Sequence, residues 1–514
     1  MKIGLIGLGK MGANLAMNFK DHQHEVIGYD LSEAACESIA EKGIQVAKDM
    51  DDLIAKLDKP RVLWLMLPCG GPTDSTIDAL SEKLAADDIV IDGGNSRYTD
   101  SMQHAKICAN KQIRFLDCGT SGGVSGARNG ACLMVGGDKS AFDVVKDALA
   151  DVVVDQGMTY TGKAGGLDTA FCATFSTNTV KKPRIDILCE YDTLDLGEAI
   201  KEGSKIVHAC GHNIIATTGV GAGIAMKHIL EKYNLPGEIR VVGTPAEEGG
   251  GGKIIMQKAG VFDDTDAMIL LHPTSGKSKI AGRCKTSIGY DVSYHGVSAH
   301  AGNHRHKGIN AHDAAVICYT SVGLLRYQTT DDVQLFVRFT DVGKESGVIP
   351  SIAKLQVQVK SFNPNSVQMM APKVKNCIES GALATGCKVD IKEKIGYLGR
   401  IYNHTFEKYL RANFELLGEP LKDGMVDDNG GEDFGNLMRK VPGIMPYPSL
   451  IPEKRVALHT TDYLKLVTTP RARYVVGLGS KVMADTVVDL LLNPSIIEEA
   501  KKEMQADLEK EEIE

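Results

Sequence analysis

His208-Ala-Cys210-Gly-His212-Asn213, followed a few dozen residues later by Pro245-Ala-Glu247-Glu248, is the stretch on which the reading of this chain turns. Cys210 and His212 place a soft thiolate and an imidazole two residues apart, able to reach one metal or two adjacent ones from a loop. That is a zinc-type ligand set. Neighbouring glutamates repel each other unless something separates their roles, and a metal does so by holding one while the other stays free as a base. On this reading Glu248 is the ligand and Glu247 the base. Taken singly, each half also fits a structural cysteine beside a surface histidine, or an acidic turn running into four glycines, 249–252.

The neighbouring segments decide between these readings. Ile185-Asp-Ile-Leu-Cys189 has the apolar run of a buried strand and ends in Glu190-Tyr-Asp192, which puts carboxylates at a strand's C-terminal end, where open α/β sheets carry their chemistry. Asp192 is placed to orient a metal-bound histidine. Residues 217–233 show helical spacing with small residues, and Glu238-Ile-Arg-Val-Val-Gly243 is a strand leading directly into Glu247-Glu248. Ala267-Met-Ile-Leu-Leu271 is another strand and ends in His272-Pro273. A strand-end histidine in the company of three ligand candidates reads as a fourth ligand. Val456-Ala-Leu-His459 offers a further one.

The N-terminus has a different character. Residues 2–6 are a short apolar strand, followed by Gly7-Leu-Gly9-Lys-Met11-Gly12 and the helix-like Ala13-Asn-Leu-Ala-Met-Asn-Phe19. A second strand, Glu25-Val-Ile-Gly-Tyr29, ends in Asp30, about 20 residues on, the spacing of a dinucleotide fingerprint. Gly7, Gly9 and Gly12 let the backbone approach a pyrophosphate at the helix start. Asp30 can accept from a ribose diol and repels a 2′-phosphate, which favours NAD over NADP. Arg61-Val-Leu-Trp-Leu-Met-Leu67 and the run from Ile89 to Ser96 continue a doubly wound sheet.

Composition sets the frame. The 514 residues exceed one core, and a net charge of −8 with acidic and basic residues mixed throughout excludes a nucleic-acid binder. Twelve cysteines are scattered without a CxxC pair, so they read as reduced thiols. No apolar run reaches the roughly 18 residues of a membrane helix, and the N-terminus lacks a leader's apolar core. A cytoplasmic protein with no membrane partner, acting on a small-molecule substrate, is expected. The tail Ala500-Lys-Lys-Glu-Met-Gln-Ala-Asp-Leu-Glu-Lys-Glu-Glu-Ile-Glu514 reads as a solvated helix end.

Two resemblances fit these segments. Gly7-Leu-Gly-Lys-Met-Gly12, Asp92-Gly-Gly-Asn-Ser96, Asp117-Cys-Gly-Thr-Ser-Gly-Gly123 and Gly126-Ala-Arg-Asn-Gly130 resemble 6-phosphogluconate dehydrogenase over residues 1 to about 160. The resemblance implies that Gly7, Gly9, Met11, Gly12 and Asp30 hold the cofactor, with Asn95 at nicotinamide or substrate. It also implies that Ser121, Gly122 and Gly123 take a sugar acid's carboxylate or hydroxyls. In that family a long helical domain with the catalytic lysine and glutamate follows. Here Leu167-Asp-Thr-Ala-Phe-Cys-Ala-Thr-Phe175 reads instead as a strand.

From about 167 to 500 the chain resembles the zinc amidohydrolases that include aminoacylases, indole-acetyl-amino-acid hydrolases and aminobenzoyl-glutamate hydrolase. The residues are Glu190-Tyr-Asp192, His208 to Asn213, Gly243-Thr-Pro-Ala-Glu-Glu-Gly249, His295-Gly-Val-Ser-Ala-His-Ala-Gly302, Gly431-Glu-Asp-Phe-Gly-Asn436 and Ala457-Leu-His459. The resemblance implies two divalent metals (zinc, or manganese or cobalt) on Cys210, His212, Glu248, His272 and His459, with Cys210 bridging. It implies Glu247 and Asp192 in catalysis, an inserted lid that pairs two subunits, and His300 donated across that dimer to the developing oxyanion. Lys360 stands where relatives have an arginine for the substrate carboxylate, and Gly347 where they have an asparagine.

The expected fold class is α/β: a Rossmann domain (1–160), then an α/β zinc-peptidase-like catalytic domain (161–285 and 396–514) split by an α+β lid (286–395). Hydrolysis of an amide in an N-acyl amino acid or dipeptide is the expected activity. A dehydrogenase of 6-phosphogluconate or a related 3-hydroxy acid, and a non-catalytic NAD-binding fusion, are the alternatives.

Overall fold

Strands β1 (Lys2–Ile6), β2 (Glu25–Tyr29), β3 (Gln45–Val46), β4 (Val62–Leu65), β5 (Ile89–Asp92), β6 (Arg114–Ser121) and β7 (Cys132–Gly137) form one sheet in the order β3-β2-β1-β4-β5-β6-β7. They belong to the first of two units, Met1–Gln156 and Gly157–Glu514, of this computed structural model. The residues described are 1–152, 158–177, 180–201, 204–421 and 425–513. All neighbours in the sheet are parallel except β6 and β7.

Alternation along the strands explains why helices cover both faces. Ile3, Leu5, Val62, Trp64, Ile89 and Ile91 pack into one core, with helices Lys10–Asp21 and Lys139–Val152. Ile6, Leu63, Leu65 and Val90 pack into the other, with helices Met50–Lys56, Gly71–Ser81 and Tyr98–Asn110. A strand that is apolar on both sides can be buried only in a doubly covered sheet. The expected doubly wound architecture is present.

The second unit is built on β8 (Thr159–Gly162), β9 (Phe171–Phe175), β10 (Arg184–Cys189), β11 (Leu194–Asp195), β12 (Ile206–Val207), β13 (Glu238–Gly243), β14 (Ala267–Ile269) and β15 (Lys279–Cys284). After these come β16 (Thr286–His295), β17 (Ala299–His300), β18 (Gln334–Asp341), β19 (Val348–Ile349), β20 (Ile352–Ser361), β21 (Lys388–Glu393), β22 (Met425–Asp428), β23 (Gly443–Ile444) and β24 (Pro446–Tyr447). The main sheet runs β23-β14-β10-β13-β9-β8, with β23, β14, β10 and β13 parallel and β9 and β8 antiparallel. The parallel strands therefore end on one edge, carrying Glu190, the Glu247-Glu248 loop and His272 to the same place.

Helix His212–Tyr233 lies close on β10 and β13. A Cβ on Gly219 would meet Cys189 Sγ at 2.4 Å, and one on Gly223 would meet Val241 Cγ2 at 2.1 Å, so only glycine permits this approach. Helix Pro470–Leu492 packs on the same core through Leu478, Val482 and Val487.

One expectation needs correction. Residues 167–175 are a strand only from Phe171, because Ala164–Gly166 form a 3-10 turn with positive φ at Gly165 and Gly166, and Leu167 N closes it on Ala164 O. The C-terminal helix, Ser495–Ile513, enters the main core at its start through Ile496, Ile497 and Ala500, and beyond Ala500 its described residues are exposed or half-buried except Met504.

Between β15 and the returning chain stands the lid, an antiparallel sheet ordered β18-β20-β16-β21. Helices Ala311–Leu325 and Pro364–Thr385 pack with Tyr290, Val292, Tyr294, Leu355 and Val357 into a separate core.

Candidate functional site

His212 is the first residue of its helix, not part of a loop, and Gly211 at φ 89° makes the left-handed turn that delivers it. Its Nδ1 lies 2.9 Å from Asp192 Oδ1 and therefore carries the proton, which leaves Nε2 with its lone pair outward. The other oxygen of Asp192 accepts from Glu248 N at 2.9 Å, so Asp192 fixes a ring and the backbone of a glutamate together. His272 is arranged likewise: Nδ1 is 2.7 Å from the Pro273 carbonyl, and Nε2 is left free.

Around these nitrogens the donor set closes. Cys210 Sγ stands 3.4 Å from His272 Nε2 and 3.3 Å from His459 Nε2. Glu248 reaches His212 Nε2 at 3.8 Å and His459 Nε2 at 3.6 Å. Ligands about 2.0–2.3 Å from one tetrahedral metal are roughly 3.3–3.6 Å from each other, so these gaps have the right size. Cys210 belongs to two groups of ligand atoms, one with His212 and His272, the other with Glu248 and His459. That is the placement a bridging ligand needs.

The polar atoms fit a metal as well. His212 Nε2 and Glu248 Oε1 are buried and have no hydrogen-bond partner among the described residues. Two such groups facing each other without a cation are costly; with one they are satisfied. Burial pushes the His272 imidazole down to about 4, so it is neutral and ready to ligate. Burial, followed by the charges of Glu248 and Glu247, holds the Cys210 thiol well above its usual range, so a thiolate needs a cation beside it. Two positive φ values among non-glycine residues flank the centre, Ala246 at 63° and His459 at 61°.

Glu247 faces the same cavity of about 220 Å³, which is also lined by Glu190, Cys210, Glu248, His272 and His459. Its carboxylate is 3.9 Å from His212 Nε2. Burial and then the charge of Glu190 raise its pKa well above the ordinary carboxylate value. Tyr397 holds the loop, donating its hydroxyl to the Glu247 carbonyl at 2.8 Å and accepting from Gly251 N at 3.2 Å.

Sequence reasoning missed the ion triad behind the glutamates. Lys253 is 0% exposed and gives Nζ to Glu190 Oε1 and Asp433 Oδ1, both at 2.6 Å, while its backbone N bonds Asp433 Oδ2 at 3.0 Å. Glu190 and Asp433 stood inside quoted motifs without a role. Lys253 had no signal at all, since a lysine after a glycine run is ordinarily exposed. Arg400, beside Glu432 and Tyr447 in the cavity wall, was missed for the same reason.

Two expected residues lie away from the cavity wall. His300, in β17, is exposed, and its Nδ1 accepts from Gly302 N and Asn303 N. Lys360 stands in β20 opposite Ser287, with a pKa lowered by burial. Neither lines the cavity of its own chain.

In the first unit, Gly7 has φ 95°, and a Cβ on Gly12 would stand 1.8 Å from Gly7 O, so the turn demands glycine at both positions. Asp30 draws that turn toward β2, accepting from Leu8 N at 2.6 Å and Ser32 N at 2.8 Å. Gly9 opens helix Lys10–Asp21, and Met11 packs partly buried against the core. The Asn95 amide is tied at both ends, Nδ2 to Thr120 O and Oδ1 to Thr120 N, each at 3.0 Å. Gly122 and Gly123 take positive φ at the end of β6; the side chain of Ser121 lies outside the described residues.

Comparison with known proteins agrees with both halves. The model for the NAD binding domain of 6-phosphogluconate dehydrogenase matches residues 2–162, and that of peptidase family M20/M25/M40 matches residues 186–463. A mouse Xaa-Arg dipeptidase is 32% identical over 360 residues, 68% of this chain and 80% of that protein. A p-aminobenzoyl-glutamate hydrolase polypeptide of Escherichia coli is 30% identical, over 53% of this chain and 58% of its own length. An NAD(+)-dependent decarboxylating 6-phosphogluconate dehydrogenase of Haloferax volcanii is 43% identical over 143 residues, and the chain spans 47% of that protein's length. No helix among the described residues is long and apolar enough to cross a membrane.

Proposed function

The chain belongs to peptidase family M20/M25/M40, a family of metal-dependent hydrolases, and carries an NAD-binding domain ahead of the peptidase domain; from that premise we propose that it hydrolyses the amide bond of a dipeptide or N-acyl amino acid. One observation carries the reading: five donors, Cys210, His212, Glu248, His272 and His459, converge, all but His212 lining one cavity, with two of their buried atoms unpartnered among the described residues. Cys210, His212 and His272 would hold one divalent metal, and Cys210, Glu248 and His459 a second. Bound there, zinc, manganese or cobalt would polarise the amide carbonyl and acidify the attacking water.

This chain's own residues do the rest. Asp192 keeps the His212 proton on Nδ1, which leaves Nε2, beside Glu248, as the ligating nitrogen. Glu247 takes a proton from water and returns it to the leaving nitrogen, helped by a pKa that burial has raised. The cavity is smaller than the 300–1,000 Å³ of drug-sized pockets, which suits a dipeptide. The similarity to a Xaa-Arg dipeptidase favours a substrate ending in a basic residue.

The first unit would bind NAD through Gly7, Gly9, Gly12 and Asp30, with Asn95 holding the loop beneath the nicotinamide end. The sugar-acid places at Gly122 and Gly123 lack the helical domain that would complete a dehydrogenase. Two copies would pair through the lid, whose exposed Phe336, Phe339 and Tyr319 form an apolar edge. Free thiols throughout the described residues suit a reducing cytoplasm.

Glu247→Gln and Glu248→Gln divide the roles. The first is expected to retain metal and lose turnover by at least a hundredfold, the second to lose metal as well. Equal metal content and equal activity in both variants would reject the assignment.

A further inference from the structure

The wall of the cavity opposite the metal ligands holds charges that neither the metal centre nor the proposed base uses. Tyr447 joins the two regions: its ring is 5.2 Å from that of His272, and its hydroxyl accepts from Arg400 Nη1 at 3.0 Å. Arg400 also gives Nε to the Gly282 carbonyl at 3.0 Å. Glu432 Oε1 lies 2.8 Å from Arg400 Nη1 but without the alignment of a hydrogen bond, and it is buried with no other partner among the described residues. Next to it stands Asp428, at the end of β22. Its Oδ1 accepts from Gly430 N at 2.8 Å, while Oδ2 is 3.9 Å from Lys279 Nζ, too far for a hydrogen bond.

The side chain of Asp428 is 45% exposed, and the surface it exposes belongs to the cavity lining. Gly430 and Gly431 line the same wall, so no side chain fills the space before it. Lys279 meets the carboxylate only as a long ion pair at 3.9 Å, and its ammonium also sits over the Tyr447 ring at 5.2 Å. Glu432 Oε1 is buried and ion-paired with Arg400, which also serves a carbonyl and a phenol, so the acceptor this wall offers a ligand is Asp428 Oδ2, whose contact with Lys279 is a long 3.9 Å.

We infer that Asp428 is the specificity determinant of this site and reads a cationic side chain, guanidinium or ammonium, on the amino-acid half of the substrate. The inference rests on the hydrolase reading above and adds to it the residue that selects. A bound amide at the metal ligands puts the leaving amino acid over Tyr447, and a long basic side chain then runs past Gly430 and Gly431 to Asp428 Oδ2. A guanidinium fork fits two acceptors side by side, which a neutral chain of the same length cannot exploit.

The test uses product analogues, so it does not depend on turnover. Binding of L-arginine, L-norleucine and L-glutamate to the metal-loaded full chain is measured by calorimetry. A charge-assisted contact predicts arginine about tenfold or more tighter than norleucine, with glutamate weakest. Asp428→Asn should bring the arginine-to-norleucine ratio close to one, and Asp428→Glu should restore it in part, which a purely structural role would not do. An unchanged ratio in Asp428→Asn, or glutamate binding best to the unaltered protein, overturns the inference. If the preference holds but none of Ala-Arg, Ala-Leu and N-acetylarginine is cleaved, the hydrolase reading fails and the cation site stands.

Discussion

Replacing Lys253 by methionine removes the ammonium that, among the described residues, contacts both Glu190 and Asp433 and leaves those two carboxylates buried without it. In the intact protein burial works against the Lys253 charge, but Asp433 and Glu190 outweigh it and hold the pKa well above the usual lysine value. Lys253 is fully buried, with two 2.6 Å contacts, so solvent screening does little to soften the loss. Breaking a buried pair by removing one partner costs about 3–5 kcal/mol. For a unit this large each kcal/mol lowers Tm by about 2 °C, so a fall of roughly 6–10 °C is expected. Calorimetry on metal-loaded protein, with metal content measured on the same sample, reads it. The sign with pH follows from the orphaned carboxylates. Their folded pKa values would lie above the unfolded ones, so the deficit is full at neutral pH and shrinks as pH falls through the folded values. Adding Glu190→Gln and Asp433→Asn, which leave neutral groups of the same shape, should recover most of the loss. A Lys253→Met protein melting within 2 °C of the original, or a triple variant no better than the single one, would refute the reasoning.

Two further outcomes follow from the same geometry. Asp30→Ala should weaken NAD about tenfold in a titration and narrow the preference over NADP, because one ribose acceptor and one repulsive charge go together; an unaltered NAD/NADP ratio would remove Asp30 from the cofactor site. Mixing His300→Ala with Glu247→Gln chains should restore activity on subunit exchange if the lid histidine serves the partner's cavity, where an oxyanion donor is typically worth roughly 2.7–4 kcal/mol; no recovery under proven exchange would discard donation across a dimer.

Both fold halves were legible because their signals are local. Strand, glycine turn, helix and strand-end aspartate occupy the first thirty residues, and each step is fixed by neighbours a few positions away. The candidate ligands His212, Glu248 and His272 were legible for a related reason: each follows an apolar run that reads as a buried parallel strand, or opens the helix beside one. Lys253 and Arg400 were not, because their meaning comes from partners far along the chain. Asp433 is 180 residues from Lys253, and nothing in a lysine's own surroundings announces that it will be buried. The depth of Asn95's involvement was equally hidden. Its amide closes on the Thr120 backbone, 25 residues away, so its side chain builds the loop as well as facing it.

The lid's position in the chain sets a condition on the site. Glu190, Glu247, Glu248 and His272 all precede it, whereas Tyr397, Arg400, Asp433, Tyr447 and His459 follow it. Three of the ties that close the cavity cross the insertion: Cys210 to His459, Lys253 to Asp433, and Tyr397 to the Glu247 carbonyl. The lid must therefore return the chain close to where it left. It does so at its base, where Ser287 and Tyr397 exchange backbone hydrogen bonds of 2.7 and 3.0 Å. That bridge stands one residue into β16 and directly ahead of the residues that grip the glutamate loop. The base of the insertion and the loop of the proposed base, Glu247, are thus joined through Tyr397.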